Sequence, residues 1–179
     1  MRVIGGEFRS RPLQSPQGMA TRPTPDRLRE SLFNILSPRI HGAVFVDAYA
    51  GCGSVGIEAL SRGASKAIFI ERNKANVALI RTNLASLGAL DRARVIHGGV
   101  TTYLGNLAAD IYFLDPPYEN VEEYEAALRL LESRAGATIV AQHNSREKLG
   151  DEYGALRRTR VLKQGDNSLS FYETLCPDS

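Results

Sequence analysis

The sequence is short of cysteine, of long apolar runs and of net charge, and each shortage closes off a class of explanation. Cys52 and Cys176 are the only cysteines among 179 residues. They are too few and too far apart for a zinc cluster or a disulfide framework, so no metal is expected and a reducing compartment is. No unbroken apolar stretch exceeds the four residues of Ala43–Val46, Val77–Ile80 or Ile111–Leu114, against roughly 20 for a membrane-spanning helix. The opening residues MRVIGGEFRSR carry no apolar core of a secretory signal, which points to the cytoplasm. Neither an internal repeat nor a low-complexity linker is visible. What is present is ordinary for a globular protein, with 43% apolar and 23% charged residues in a length suited to one domain. A chain of this size buries roughly 70% of its unfolded surface and needs no covalent staple.

The formal net charge of +2 conceals an uneven distribution. Residues 1–40 hold seven arginines, at positions 2, 9, 11, 22, 27, 29 and 39, against Glu7, Asp26 and Glu30, a net of +4 that leaves −2 for residues 41–179. Guanidinium forks suit phosphate, so the arm is either a nucleic-acid contact or a solvated surface, and charge alone leaves both open.

Residues 1–25 mix glycine and proline in a way that predicts short extended pieces and a hairpin across Val3–Leu13. Asp26 is expected to cap a helix running to about Leu36, with Leu28, Leu32, Ile35 and Leu36 on one face and Pro38 ending it. Beyond it, strands are expected near Ala43–Asp47, Ala67–Glu71, Ala93–His97, Ile111–Asp115 and Thr138–Ala141. Helices are expected near Ser54–Arg62, Lys74–Leu87 and Glu122–Ser133, with a weaker turn at 101–106. That alternation builds a parallel sheet covered on both faces. Leu156–Lys163 and Ser168–Leu175 break it, reading as a hairpin around Gln164–Asn167 whose last strand runs antiparallel. The expected fold is therefore α/β and Rossmann-like, with a C-terminal antiparallel hairpin and a short N-terminal extension. Residues 1–40 form that extension, packed on 41–179 as effectively one domain.

Asp47-Ala-Tyr-Ala-Gly51-Cys-Gly53-Ser-Val-Gly56 joins a strand to a helix. Glycines at 51 and 53 let the backbone turn tightly beside a ligand, and Gly56 lets the helix approach the sheet. Glu71 follows Gly51 by 20 residues at the end of the next strand, where a carboxylate can accept both ribose hydroxyls of an adenosine. The glycine spacing suits NAD and S-adenosylmethionine alike. Asp47 favours the second, because a carboxylate there crowds a pyrophosphate but can assist an ammonium group. Cys52 reads as a small filler.

Asp115-Pro116-Pro117-Tyr118 falls at the same carboxyl edge. Two prolines remove two amide donors and leave carbonyls, so this edge accepts hydrogen bonds without offering them. Asp115 and the Pro116 carbonyl can hold an exocyclic amine while Tyr118 stacks on its ring. Acceptors out of the ring plane favour a pyramidal nitrogen whose lone pair points at an electrophilic methyl. Positioning then carries the reaction, and no strong base is required.

These stretches together resemble the bacterial 16S ribosomal RNA guanine-N2 methyltransferase family of the RsmD type over essentially the whole chain. The resemblance rests on Arg2–Gly6 with Arg9 and Arg11; on Arg22–Glu30 with Phe33 and Asn34; on Asp47–Ala64; and on Asp115–Tyr118. It implies methyl transfer from S-adenosylmethionine to the N2 of one guanine of 16S rRNA, on an assembled or assembling 30S subunit, by a monomer. It implies catalytic roles for Asp115, Pro116, Pro117 and Tyr118, and donor contacts from Thr24, Asp47, Ala48, Gly51, Gly53, Glu71, Arg72, Val100 and Asp115. Arg2, Arg9, Arg11 and Arg22 would touch RNA around a base turned out of its stack.

Two positions depart from the pattern. His97-Gly-Gly-Val100 lacks the acidic residue that often meets the adenine amine, and Gln142-His143 stands where a glutamate is frequent, with His143 expected as an ordinary loop histidine. Competing readings are an adenine-N6 methyltransferase, an NAD-dependent oxidoreductase, which leaves Asp115–Tyr118 without a role, and a non-catalytic RNA-binding module. The modest length counts against a separate DNA-reading domain.

Overall fold

The computed structural model describes residues 1–18, 24–117 and 120–175. Eight strands form one sheet in the order β3-β2-β1-β4-β5-β8-β7-β6. The first five, β1 (Val44–Asp47), β2 (Lys66–Glu71), β3 (Ala93–His97), β4 (Ile111–Leu114) and β5 (Thr138–Asn144), are parallel. β8 (Asn167–Thr174) lies antiparallel between β5 and β7 (Leu156–Gln164), and the two-residue β6 (Glu152–Tyr153) covers one end of β7. Strand order reverses between β1 and β4, the position where open parallel sheets part to form a ligand crevice.

Alternate residues of each strand serve opposite faces. Val46, Ile68, Tyr112 and Ile139 pack with the short α4 (Val100–Tyr103) and with α5 (Val121–Leu130). Phe45, Phe113 and Val140 pack with α1 (Asp26–Ile40) and with α2 (Ser54–Ser61), while Ala67 and Phe69 meet α2 and α3 (Lys74–Ser86). Asn73 caps α3 through the amides of Ala75 and Asn76, and Asn120 caps α5 through Glu122. Glu122 and Glu123 in the first turn of α5 suit the positive end of the helix dipole.

Several boundaries differ from the sequence reading. Asp26 is the first helical residue rather than the cap, which is Pro25, and its carboxylate pairs with Arg29 at 3.1 Å. Pro38 lies inside α1, which continues to Ile40. The missing amide falls in the last turn, and Ile40 is buried against the sheet, so packing outweighs the lost bond. β5 extends three residues beyond Ala141, because β8 pairs with it as far as Asn144–Asn167. His143 is therefore a strand residue, buried, and not part of a loop.

The arm folds back on itself through an Arg2–Pro12 bridge, with Val3 N to Arg11 O at 3.0 Å and Ser10 N to Val3 O at 2.9 Å. Val3, Phe8 and Leu13 are buried against α2 and α3. Glu58 on α2 is fully buried and accepts from the amides of Ile4 and Gly5 and from Arg62 Nε, all at 2.9 Å. Arg29 is fully buried as well; it donates to the Arg2 carbonyl at 2.7 Å and lies 3.9 Å from Glu58. Arg39 pairs with Glu173 at 2.9 Å. Of the seven arginines counted toward a basic arm, Arg29 is thus committed inside the protein, and Arg39 is held in an ion pair at the surface. No helix among the described residues is long and apolar enough to cross a membrane.

Candidate active site

A cleft of about 860 Å³ opens at the carboxyl edge of the parallel strands. Its first wall is the loop between β1 and α2. Gly51 and Gly53 have φ of +56° and +83°, and a Cβ on Gly51 would meet nothing within 4 Å, leaving the backbone open to a ligand. A Cβ on Gly56 would lie 2.4 Å from the Phe69 ring, so only glycine lets α2 sit this close to β2.

Two carboxylates brace this loop. Asp47 Oδ2 accepts from Gly56 N at 3.0 Å. Glu71 accepts from Gly51 N at 2.8 Å with one oxygen and from Asn73 N at 2.7 Å with the other. Each Glu71 oxygen keeps a second lone pair, so the fit to a ribose survives this bracing. Asp47 is 1% exposed. Burial pushes its carboxyl up to about 7, the Gly56 amide pulls the other way, and the charge of Glu71 adds to the rise.

Asp115 follows β4 directly, and the pairing of Asp47 with Phe113 in the sheet brings it beside Asp47. Its carboxyl is likewise raised to about 7, first by burial and then by the Asp47 charge. Pro116 and Pro117 line the same cleft, as do Ala48, Arg72 and Val100. Thr24 enters from the arm side, donating to Gln142 Oε1 at 3.1 Å. Tyr118 and Arg22 lie outside the described residues, as does Cys176. Arg2, Arg9 and Arg11 do not line the cleft; they are exposed on the hairpin, where Arg11 donates to the Ser86 carbonyl at 2.7 Å. Both ring nitrogens of His143 are engaged, with Asn144 O at 2.9 Å and Ser170 Oγ at 2.8 Å. Burial pushes its pKa down, which keeps the ring neutral.

Three residues escaped the sequence reading. Asn83 clamps the arm to the loop, accepting from Gln14 N at 2.8 Å and donating to Gln14 O at 3.0 Å and Cys52 O at 3.1 Å. Its place on the apolar face of α3, beside Ile80 and Leu84, was the available signal. Tyr49 donates to Glu123 at 2.8 Å and so links the glycine loop to the first turn of α5 across the cleft. No local pattern foretells that pair.

A 3-2-1-4-5 sheet finished by an antiparallel strand, with a glycine loop, an acidic residue after β2 and Asp-Pro-Pro after β4, defines an S-adenosylmethionine-dependent methyltransferase of the Rossmann-like class. The family described as conserved hypothetical protein 95, the RsmD family, matches residues 1–173, and the chain belongs to it. YlbH of Bacillus subtilis, provisionally named an rRNA methyltransferase, is 34% identical over 182 residues, spanning 97% of this chain and 98% of its own. Ribosomal RNA small subunit methyltransferase D of Escherichia coli K12 is 42% identical over 120 residues, covering 66% of this chain and 60% of that protein. The solved structure of yhhF from Escherichia coli, provisionally named a methyltransferase, superposes with a TM-score of 0.82 at 32% identity and covers 97% of each chain.

Proposed function

We propose that the protein methylates the exocyclic N2 of one guanine in 16S rRNA, acting as a monomer on assembled or assembling 30S particles in the cytoplasm. The observation that carries this reading is the pairing of Asp115-Pro116-Pro117 with Asp47 and the glycine loop in one cleft, an acceptor-only edge beside a donor cradle. Relatives named for ribosomal RNA supply the substrate class.

In this reading Glu71 takes the ribose hydroxyls, Gly51 and Ala48 offer backbone, and Asp47 meets the ammonium group; Gly53, expected among the donor contacts, does not line the cleft and instead closes the turn with its amide on the Ala50 carbonyl at 2.7 Å. Val100 and Arg72 border the adenine end, where hydrogen bonds to backbone replace the missing acidic side chain. When bound, S-adenosylmethionine supplies a methyl activated by its sulfonium. Asp115 and the Pro116 carbonyl hold the guanine amine so that its lone pair faces that methyl, Tyr118 stacks on the ring, and Asp115 receives the proton afterwards. Residues 1–40 serve as an RNA-facing extension of a single domain, with Arg2, Arg9, Arg11 and Arg22 on phosphates.

Two measurements test the reading. Calorimetry should detect S-adenosylhomocysteine and not NAD; binding of NAD alone would remove the methyltransferase reading. Incubation with labelled donor and 30S particles from unmodified cells, followed by digestion to nucleosides, should yield N2-methylguanosine. N6-methyladenosine would move the assignment to adenine. Glu71→Ala should weaken S-adenosylhomocysteine binding by roughly 10- to 100-fold, the size of one hydrogen bond to a charged acceptor. Unchanged affinity would dissociate Glu71 from the ribose.

A further inference from the structure

The mouth of the cleft has two sides. One is the glycine loop, with the arm hairpin behind it on α2 and α3; the other is the end of β5, where Asn144, Glu147, Asp166 and Asn167 line the cleft and Thr24 is bonded to Gln142. Charge arithmetic along the chain drew attention only to the arm, because residues 41–179 sum to −2. Folding changes that picture at the β5 side.

Beyond β5, the segment 145–151 forms no helix and is held on the β7–β8 turn. Ser145 N donates to Asp166 O at 2.8 Å, its hydroxyl donates to Gly165 O at 3.0 Å, and the hydroxyls of Ser145 and Ser168 are 2.9 Å apart. Asn144 Oδ1 accepts from Arg146 N at 2.9 Å, which tightens the turn carrying Arg146 and Lys148. Lys163 pairs with Ser168 in the sheet register. Its neighbours Leu162 and Gln164 turn toward α1, the first packing on that helix's core and the second donating to Ser31 Oγ at 3.4 Å. Lys163 therefore lies on the face occupied by the 145–151 segment.

Nearby arginines are neutralised locally, Arg157 by Glu152 at 3.1 Å and Arg158 by Asp151. Arg146, Lys148 and Lys163 are exposed and make no ion pair among the described residues. A charge on β7 is ordinary edge protection, since β6 pairs only with Leu156 and Arg157. That account covers Lys163 but not Arg146 and Lys148, which stand on a loop with no strand edge to protect.

We propose that Arg146, Lys148 and Lys163 form a second RNA-backbone surface, beside the β5 end of the cleft and apart from the arginines of the arm hairpin, gripping phosphates on that side of the nucleotide whose base enters. The inference rests on the RNA reading above. A base drawn out of its stack needs the backbone held on both sides of it, and phosphate contacts set that register without reading sequence.

The test is binding of the full chain to 30S particles from unmodified cells across about 0.05–0.3 M salt. Arg146→Ala/Lys148→Ala/Lys163→Ala should make the log–log salt slope shallower by about two and weaken binding roughly tenfold near 0.15 M, with S-adenosylhomocysteine affinity unchanged. Arg157→Ala, which removes an already paired cation, should leave the slope alone. Arg146→Lys/Lys148→Arg/Lys163→Arg keeps the charges and should keep the slope; if it falls with the alanine variant, the effect is not electrostatic and the proposal is overturned. Wild-type binding matched by the alanine variant overturns this surface alone. A wild-type protein that binds no particle at any salt overturns the RNA reading and this surface with it.

Discussion

Asp115→Asn is expected to abolish methyl transfer while making the protein more stable at pH 8. The two effects share one cause. Burial and the charge of Asp47 raise the Asp115 carboxyl to about 7, whereas in the unfolded chain it titrates near 3.8. Between those values the folded state keeps a proton that the unfolded state has released, so stability falls as pH rises and the loss is complete above about 7. The amide carries no charge and escapes that penalty. A gain of about 1–3 kcal/mol at pH 8, shrinking toward zero near pH 4, is expected by calorimetry, discounted because Asp115 is partly accessible in the cleft.

Transfer should drop by a factor of about 10² or more, because the amide turns a donor toward an amine that needs acceptors. S-Adenosylhomocysteine binding should persist. In the wild type, transfer should climb as pH rises through about 7, following ionisation of the same group. A variant as active as wild type at pH 8 would remove Asp115 from the chemistry, and a variant less stable there would refute the electrostatic account.

Glu58→Ala is expected to be the most damaging single change outside the cleft. The side chain is fully buried and accepts three hydrogen bonds at 2.9 Å, two from arm amides and one from Arg62. Its removal takes away the buried carboxylate 3.9 Å from Arg29 Nε, a nitrogen that with Nη1 already lacks a hydrogen-bond partner, and leaves the guanidinium only Asp26 and the Arg2 carbonyl. Breaking a buried pair from one side costs about 3–5 kcal/mol. Denaturant unfolding should register that loss, and amides 4 and 5 should exchange rapidly with solvent. Glu58→Gln retains an acceptor and should fall between the two. If Glu58→Ala unfolds at the wild-type midpoint, the network contributes nothing to holding the arm.

The core sheet was legible because each of its strands is a short apolar run bounded by turn residues, and the glycine loop because it lies between two such elements. Legibility ended where long-range pairing decides. The last three residues of β5, Gln142, His143 and Asn144, look like a polar loop and become strand only through β8, some 25 residues later. Arg29 and Glu58 were readable in principle, since each interrupts an apolar helix face, yet a count of net charge placed Arg29 on the surface. The meeting of Asp47, Glu71 and Asp115 in one cleft was visible because motif spacing is local. The Tyr49–Glu123 bond, joining residues 74 apart, was not.

The anchoring of the arm also sets an order of events during synthesis. Residues 1–18 are made before their partners Glu58, Ser61, Asn83, Ser86 and Arg92, which lie up to 85 positions further along the chain. Contacts this distant in sequence carry the loop-closure cost that slows folding, and they have nowhere to form until α2 and α3 lie on the sheet. The arm thus leaves the ribosome before the helices that hold it and is among the last segments to find its place. A chain released before α3 is complete would expose free arginines without a donor cradle behind them.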